Sequence, residues 1–424
     1  MIYLLGCNSN KERSLNVPDS DYRQAALAFS ELKEALKKED GRLWNHKLDG
    51  PVLLINRETR IIIANEPDGK NELVKYKDYY AGKFPENMNI ANSAVDRNGK
   101  RWTMVSFPLP ELKEERLDLL IHESFHRIQP LIGFDSLNQI QCSHLDTKEG
   151  RIFLKLELEA LTAALNSDKP EKHIKNALLF RLYRYQLFPE AKISENSLEI
   201  NEGIAEYAGS ILSGRSNNEL RKYYVSKIDW FYQTPTFVRS FAYYTIPVYG
   251  YYLRQSDDKW NLKISKQTNL TDFILEFYKE EPVKSSRKEI MQIGKSYKID
   301  SIIKFEQTRE IKRLELIKKY KIQFLGDSTI KIRLENLKIG FNPGNLIPLD
   351  SFGTVYPNLR ITDSWGILEV DSCGALLSSD FKYVTISNPK LITDSLIWGK
   401  GWKLKLEKAW KLEKENRKYR LTKK

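Results

Sequence analysis

The segment His122–His126 constrains this chain more than any other, because it reads H-E-x-x-H inside a stretch of helical apolar periodicity, Leu117–Gln129. Residues four apart on a helix lie on one face, so the two histidines point the same way. Two neutral imidazoles on adjacent turns can bind one zinc ion and leave other coordination positions open. We therefore predict His122 and His126 as zinc ligands, and Glu123 as the base that takes a proton from a metal-activated water.

The residues around this segment favour a helix. Pro108 and Pro110 interrupt the extended run that precedes it, and the first turn is rich in glutamate, which the helix dipole favours. An apolar stripe at helical spacing follows. The stripe consists of Leu117, Leu120, Ile121, Phe125 and Ile128. The alternative is an ordinary helix with two partly exposed histidines.

A catalytic zinc ion usually has three protein ligands, so a third is expected. In the pattern H-E-x-x-H-x-x-G-x-x-H, the third ligand is a third histidine, six residues after the second. Here Gln129 stands at the glycine position and Ile132 at the histidine position, which excludes that pattern. His144 and His173 stay possible in principle, but neither lies in a recognisable ligand context.

The better source of a third ligand is a helix predicted over 197–212. Glu195, Glu199, Glu202 and Glu206 fall at i, i+4, i+7 and i+11, which predicts one acidic helix face. Gly203 costs roughly 1 kcal/mol against alanine in a helix interior. A close approach by another backbone or by a metal site would account for it. The alternative is a solvated acidic face.

The string N-E-G-I-A-E-Y at Asn201–Tyr207, together with H-E-x-x-H at His122–His126, resembles the gluzincin metallopeptidases. This broad group includes thermolysin-like and aminopeptidase-N-like enzymes. The resemblance covers two short segments. It implies Glu202 as the third zinc ligand and Glu206 as the group that orients a ligand histidine. It also implies one zinc ion per chain and a peptide or protein substrate.

The spacing departs from the best-known gluzincins, because 75 residues separate His126 from Glu202. An insertion must loop out and return. That gap and the second helix contain rival carboxylate ligands, which are Glu149, Glu157 and Glu199. Glu202 ranks first, with Glu157 and Glu199 behind it.

The resemblance implies two further features of the cleft. A tyrosine beyond the third ligand often donates to the developing oxyanion, and Tyr243, Tyr244 and Tyr249 are candidates. A strand ahead of the H-E-x-x-H helix commonly edges the cleft and pairs with an extended substrate. The predicted hairpin of 88–95 and 100–107, which turns at Asn98-Gly99, could supply it. A plain structural hairpin is the alternative.

Charge and composition limit the classes of partner that this protein is expected to bind. The net charge is +12, but the basic residues are scattered and carry no nucleic-acid-binding motif, so we expect no nucleic-acid partner.

The string Leu4–Cys7 resembles a bacterial lipobox, although only six residues precede Cys7 and none is basic. We expect an exported bacterial lipoprotein, facing the periplasm or the cell surface and anchored at Cys7; an ordinary thiol is the alternative. Cys142 and Cys373 could pair or stay free.

Composition along the chain predicts an α+β fold, and the resemblance to gluzincins implies a zincin-like catalytic part. The expected parts are 1–20, a lipobox remnant and tether; 21–148, an α/β part with the H-E-x-x-H helix; 149–322, a mainly helical part with the third ligand; and 323–424, an all-β domain. Short β-prone runs separated by turns characterise the last part and predict a sandwich or small barrel.

These features together predict a zinc-dependent metallohydrolase, and within that class a peptidase. The rival from another class is a noncatalytic, peptidase-like surface lipoprotein that binds a partner or a glycan through its β domain. A third interpretation is zinc-dependent hydrolysis of a non-peptide amide or ester. Substrate specificity and endo- against exopeptidase action stay open at this stage.

Overall fold

The structure, a computed structural model, describes residues 15–135, 137, 140–281, 284–415 and 418–424. Cys7, the expected lipidation site, lies outside the described residues. None of the described helices is both long and apolar enough to cross a membrane. The fold is α+β, as predicted. A mixed sheet with two helices comes first, a helical part follows, and an all-β region ends the chain.

The first part is a six-stranded sheet with the order β3-β4-β2-β1-β6-β5. Its elements are α1 (Asp19–Glu39), β1 (Val52–Asn56), β2 (Ile61–Ala64), β3 (Val74–Tyr76), β4 (Tyr79–Lys83), β5 (Ser93–Arg97), β6 (Lys100–Phe107) and α2 (Lys113–Ile128). Only β1 and β6 pair in parallel; the other neighbours are antiparallel. Because strand side chains alternate between faces, Leu54 and Val105 join the main core under α1 and α2, whereas Leu53 and Met104 form a small core on the opposite face.

The predicted hairpin is present, with its turn at Asn98 and Gly99, both at positive φ (48° and 80°). Its first strand begins at Ser93, later than the expected residue 88, and residues 88–92 form a connecting segment instead. This strand, β5, is the edge of the sheet.

The helical part supplies the second wall of the site. Its helices are α3 (Lys148–Leu165), α4 (Glu171–Leu187), α5 (Ala191–Leu198), α6 (Ile204–Leu212), α7 (Asn217–Phe231), α8 (Ala242–Ser256), α9 (Leu270–Phe277), α10 (Arg287–Gly294) and α11 (Ile299–Leu325). A π-helical turn, Glu199–Gly203, joins α5 to α6 without a break in helical backbone conformation. We call this continuous segment the α5–α6 rod.

The region after α11 is all-β, as predicted. Its strands are β7 (Thr329–Arg333), β8 (Lys338–Phe341), β9 (Ile347–Pro348), β10 (Thr354–Tyr356), β11 (Leu359–Asp363), β12 (Gly366–Val370), β13 (Ala375–Leu377), β14 (Tyr383–Ser387), β15 (Pro389–Ile392), β16 (Leu396–Gly399), β17 (Trp402–Leu406), β18 (Trp410–Glu415) and β19 (Lys418–Lys423). A five-stranded and a six-stranded sheet share one apolar core, which is a sandwich arrangement, and β18–β19 form a separate hairpin. The helix α11 continues to Leu325, past the expected boundary at 322.

Cys142 and Cys373 are both free thiols, so the possible disulfide between them is not formed. Cys142 is fully buried.

Candidate metal centre

Helix α2 lies between the sheet and α6, and this position brings the H-E-x-x-H residues against the α5–α6 rod. Leu120, Ile121 and Phe125 are completely buried and anchor the helix in the main core. The close approach to α6 requires a glycine, because a Cβ added at Gly209 would lie 2.5 Å from Asp118 Oδ1. Gly209 is not among the residues predicted from the sequence pattern.

Three electron-donating atoms converge between α2 and the rod. His122 Nε2 and His126 Nε2 are 3.0 Å apart, and Glu202 Oε2 lies 3.6 Å from the first and 3.3 Å from the second. Zinc bonds of about 2.0–2.1 Å in tetrahedral geometry place two ligand atoms roughly 3.3 Å apart. The distances therefore fit three ligands around one zinc ion.

The hydrogen bonds of the other ring nitrogens determine the form of both histidines. His122 Nδ1 lies 2.9 Å from Glu206 Oε2, and a carboxylate can only accept, so Nδ1 carries the proton. His126 Nδ1 donates in the same way to Gln129 Oε1 at 2.7 Å, while Gln129 Nε2 donates to the Asn201 carbonyl at 3.0 Å. In the neutral form that zinc binding requires, both rings therefore present Nε2 lone pairs towards Glu202.

Three lone-pair atoms so close together repel each other unless a cation or protons lie between them. Burial alone would lower the pKa of His122, but hydrogen bonds to Glu202 and Glu206 raise it well above its ordinary value. Burial would raise the pKa of Glu202, but the charge of His126 and the hydrogen bonds of both histidines lower it well below its ordinary value. The site therefore favours positive charge at its centre, which is what a zinc ion would supply.

Glu123 has the surroundings of a proton acceptor. It is 5 % exposed, and its Oε2 atom has no hydrogen-bond partner within the described part of the chain. Burial raises the pKa of Glu123 above its ordinary value. One oxygen of Glu123 and one nitrogen of each ligand histidine lie within 4.8 Å of one another. A buried carboxylate oxygen without a partner beside a ligand set is a group that is ready to take a proton.

Tyr243 is the only one of the three candidate tyrosines that the structure places at the site. Its hydroxyl donates to Glu202 Oε2 at 2.5 Å, and its ring stacks on His122 with an interplanar angle of 6°. Tyr244 stacks on Phe231 instead. The Tyr249 hydroxyl donates to Glu157, 3.1 Å away in the interior.

The rival carboxylates serve a different purpose. Arg181 Nη2 lies 2.7 Å from both Glu157 Oε1 and Glu199 Oε1, and Arg184 Nη2 lies 2.6 Å from Glu195 Oε2. All five side chains are completely buried. We call these five residues the buried ion network.

The predicted single acidic face is therefore wrong. Glu195 and Glu199 enter the buried ion network, whereas Glu202 and Glu206 face the histidines. The physical reason is the π-helical turn at Glu199–Gly203, whose extra residue per turn shifts the later residues away from α-helical register. The alternative of a solvated face also fails, since Glu195, Glu199 and Glu206 are buried and the Glu202 side chain is only 15 % exposed.

His144 and His173 lie away from the candidate centre. Glu149, the remaining alternative carboxylate ligand, also lies away from it. His144 Nε2 bonds Glu195 Oε1 at 2.7 Å, and His173 Nδ1 bonds the Tyr297 hydroxyl at 2.8 Å. Glu149 pairs with Arg287 near the surface.

Sequence reasoning missed the groups that support the ligands. Lys227 Nζ donates to Glu206 Oε1; burial would raise the pKa of Glu206, but the Lys227 charge and His122 lower it to about 2. Glu206 is thus ionised while it accepts from His122. The i, i+3 spacing of His126 and Gln129 could have indicated their contact. No local signal points to Lys227, which lies on α7.

The candidate centre opens into two cavities. The larger, about 970 Å³, lies between α2 and the β sandwich, whose Phe341 and Arg360 line it. The smaller, about 300 Å³, is lined by Ser93 of the edge strand β5 and by Arg101. Glu123 and Tyr243 line both, as does Asn92, so a continuous groove passes the ligand set.

Comparison with known proteins gives no match to a protein-family model, to a curated protein or to a solved structure.

Proposed function

We propose that this protein is a zinc-dependent metallohydrolase of the gluzincin type, with a zincin-like catalytic part, and that it cleaves peptide bonds. The observation that carries the proposal is the convergence of His122 Nε2, His126 Nε2 and Glu202 Oε2 within 3.6 Å beside the unpartnered carboxylate oxygen of Glu123. Three protein ligands with an open side are typical of catalytic zinc sites.

His122, His126 and Glu202 would hold the zinc ion. When bound, zinc supplies Lewis-acid chemistry, because it polarises a carbonyl oxygen and lowers the pKa of water towards neutrality. Glu123 takes the proton of the attacking water and passes it to the leaving amine. Because Glu123 Oε2 is buried and accepts from no donor in the described part of the chain, no described group competes for its lone pair.

The surrounding residues orient these groups. Glu206, ionised beside Lys227, accepts the Nδ1 proton of His122 and so keeps its Nε2 lone pair directed at the centre. The Tyr243 hydroxyl, which donates to Glu202 and lines the groove, would be the donor to negative charge that develops on the carbonyl oxygen.

The groove favours an extended peptide over a compact substrate. The strand β5 is a sheet edge and lines the smaller cavity through Ser93 and Ala94. An unpaired strand edge binds peptide backbones of many sequences through main-chain hydrogen bonds. A groove that continues past the ligand set into a cavity of about 970 Å³ has room for residues on both sides of the cleaved bond.

The test is zinc stoichiometry by elemental mass spectrometry, combined with hydrolysis of a mixed peptide pool. Wild type should hold about one zinc per chain, and Glu202→Ala should lose it or bind it much more weakly. Glu115→Ala is the matched control, because Glu115 lines the same groove but is exposed. Equal zinc in wild type and Glu202→Ala would contradict the ligand set. A wild type that cannot be loaded with zinc would favour the noncatalytic surface protein.

A further inference from the structure

The larger cavity is electrically polarised along its length. Three of its five carboxylates, those of Asp118, Glu123 and Glu206, lie at or near the candidate metal centre. Three arginines line it elsewhere, Arg57 and Arg60 from the β1–β2 turn and Arg360 from the β sandwich. We call this part of the cavity the arginine end.

Arg60 and Arg360 lie against the same backbone carbonyl at the arginine end. Arg60 Nη2 donates to the Met88 carbonyl at 2.6 Å, and Arg360 Nη1 approaches the same carbonyl at 3.5 Å. Burial and the like charge of Arg360 both lower the pKa of Arg60, which indicates that two guanidinium groups are held close together. Such proximity of like charges is favourable to an anion that binds beside them.

The nearby carboxylates do not neutralise this positive charge. Glu369 lines the cavity but is shared between Arg360 at 3.3 Å and Lys403 at 2.8 Å. Glu115 also lines the cavity, from the first turn of α2. Glu86, whose charge also acts on Arg60, is shared with Lys405 at 3.3 Å. With Lys403 and Lys405 included, the cations around the arginine end therefore outnumber the carboxylates.

Arg57 differs from the other two arginines, because its side chain is exposed and makes no hydrogen bond or ion pair with any described residue. A guanidinium group that lines a cavity without a partner can bind a carboxylate of a ligand in bidentate geometry.

The arginine end lies within reach of a bound peptide. Asn92 lines the groove beside Glu123, and Asn89 Oδ1 accepts from Arg360 Nη1 at 2.6 Å. Three residues of chain span at most about 10 Å. An extended peptide covers the same length with about three residues.

We propose that the groove selects peptides that carry an acidic side chain where the bound chain passes the arginine end, and that Arg57 binds this side chain. This inference rests on the proposed peptidase function and adds its substrate class. Arg60 and Arg360 contribute positive potential, and Arg57 supplies the free donors.

The experiment is cleavage-site profiling of a proteome-derived peptide library by mass spectrometry, with zinc-loaded wild type, Arg57→Gln, Arg57→Glu and Arg23→Glu. The last is a charge-matched control, because Arg23 is exposed on α1 and does not line the cavity. Wild-type sites should be enriched in Asp or Glu at a fixed position on one side of the cleaved bond. For one such peptide, Arg57→Gln should lower kcat/KM about tenfold, as loss of a hydrogen bond to a charged group predicts.

Arg57→Glu should reverse the preference, so that the matching peptide with Lys becomes the better substrate, while Arg23→Glu should keep the wild-type preference. Cleavage without acidic enrichment, or an enrichment that Arg57→Glu leaves unchanged, would overturn this inference and leave the peptidase proposal standing. An equal loss in Arg23→Glu would assign the effect to net charge and would also overturn it. Absence of any cleavage by zinc-loaded wild type would overturn both proposals.

Discussion

Protonation of individual side chains determines what the candidate centre can do. A histidine ligand must be neutral and must present one particular nitrogen, and the partners of the other nitrogen select it. Here Glu206 selects the tautomer of His122, and Gln129 selects that of His126. The partner of Glu206, Lys227, keeps that carboxylate ionised. The proposed ligands therefore depend on residues that would bind no metal themselves.

Replacement of Glu123 by alanine removes the proton acceptor but no ligand. We expect Glu123→Ala to keep its zinc and to lose about 10²–10⁴-fold in kcat, because that is the usual contribution of a positioned acid-base group. His126→Ala should lose both zinc and activity. Zinc content and peptide turnover, measured on the same preparations, check this. Undiminished turnover in Glu123→Ala would rule out the mechanism.

The α5–α6 rod is the element that orients Glu202, the proposed third ligand. One side of the rod carries Glu195 and Glu199 into the buried ion network, and the other side presents Glu202 and Glu206 to α2. A buried charge is costly without a partner, so rotation of the rod would leave carboxylates and guanidinium groups unpaired. The ion network thereby limits the rod to one orientation, in which Glu202 faces the histidines.

Replacement of Gly203 tests how tightly the α5–α6 rod packs against α8. A Cβ at this position would lie 2.8 Å from Ile246 Cβ and 3.2 Å from the Ala242 carbonyl oxygen of α8. We expect Gly203→Ala to lower the free energy of unfolding, because overpacking costs about 1–3 kcal/mol and exceeds the gain of about 1 kcal/mol in helix propensity. Urea denaturation of wild type and Gly203→Ala measures this change in the free energy of unfolding. Ser226→Ala, at an exposed position of α7, is the control and should have little effect. A stabilised Gly203→Ala would contradict the close packing.

The buried ion network also predicts a pH dependence of stability. Burial would raise the pKa of Glu195, but Arg184 and His144 lower it well below its ordinary value of 4.5. The folded state therefore binds this proton more weakly than the unfolded state does. The resulting stabilisation is complete above pH 4.5 and is lost as the pH falls towards the folded pKa.

Glu195→Gln should lower the free energy of unfolding by about 3–5 kcal/mol at pH 7, because it breaks a buried ion pair. The difference from wild type should shrink as the pH falls from about 5 to about 3. Urea midpoints across this range check it. Asp272→Asn is the control, since its partner Lys192 and Asp272 itself are largely exposed. A difference that is constant with pH would show that the Glu195 charge is not the cause.

At the scale of the whole molecule, the β sandwich forms one wall of the groove. Arg360 Nη2 donates to the Glu86 carbonyl at 2.6 Å, and Arg360 Nη1 donates to Asn89 Oδ1 at 2.6 Å. These bonds join the sandwich to the segment that leads into β5. The width of the groove therefore depends on a contact between parts of the chain more than 250 residues apart. Lipid anchoring at Cys7 stays a prediction from the sequence.

Removal of this contact should loosen the groove wall. We expect Arg360→Ala to increase hydrogen exchange of residues 86–92, because the lost bonds to a charged donor contribute about 1.5–3 kcal/mol each. Lys405→Ala is the control, because its pair with Glu86 is exposed and contributes little. Hydrogen-exchange mass spectrometry measures both variants. Equal exchange in Arg360→Ala and wild type would show that other contacts hold the segment.

Local patterns in the sequence determined the α2 helix with its two histidines, the Asn98-Gly99 hairpin and the all-β character of the C-terminal part. Each depends on residues within a few turns or one hairpin, where periodicity and turn preference act. The tertiary structure alone decided that Glu202 rather than Glu157 or Glu199 faces the histidines, and that the sandwich walls the groove. Those outcomes depend on the π-helical turn, the buried arginines and interdomain contacts, which join residues far apart in the chain. Their energies come from burial and charge pairing in the folded molecule, and no local window of sequence contains them.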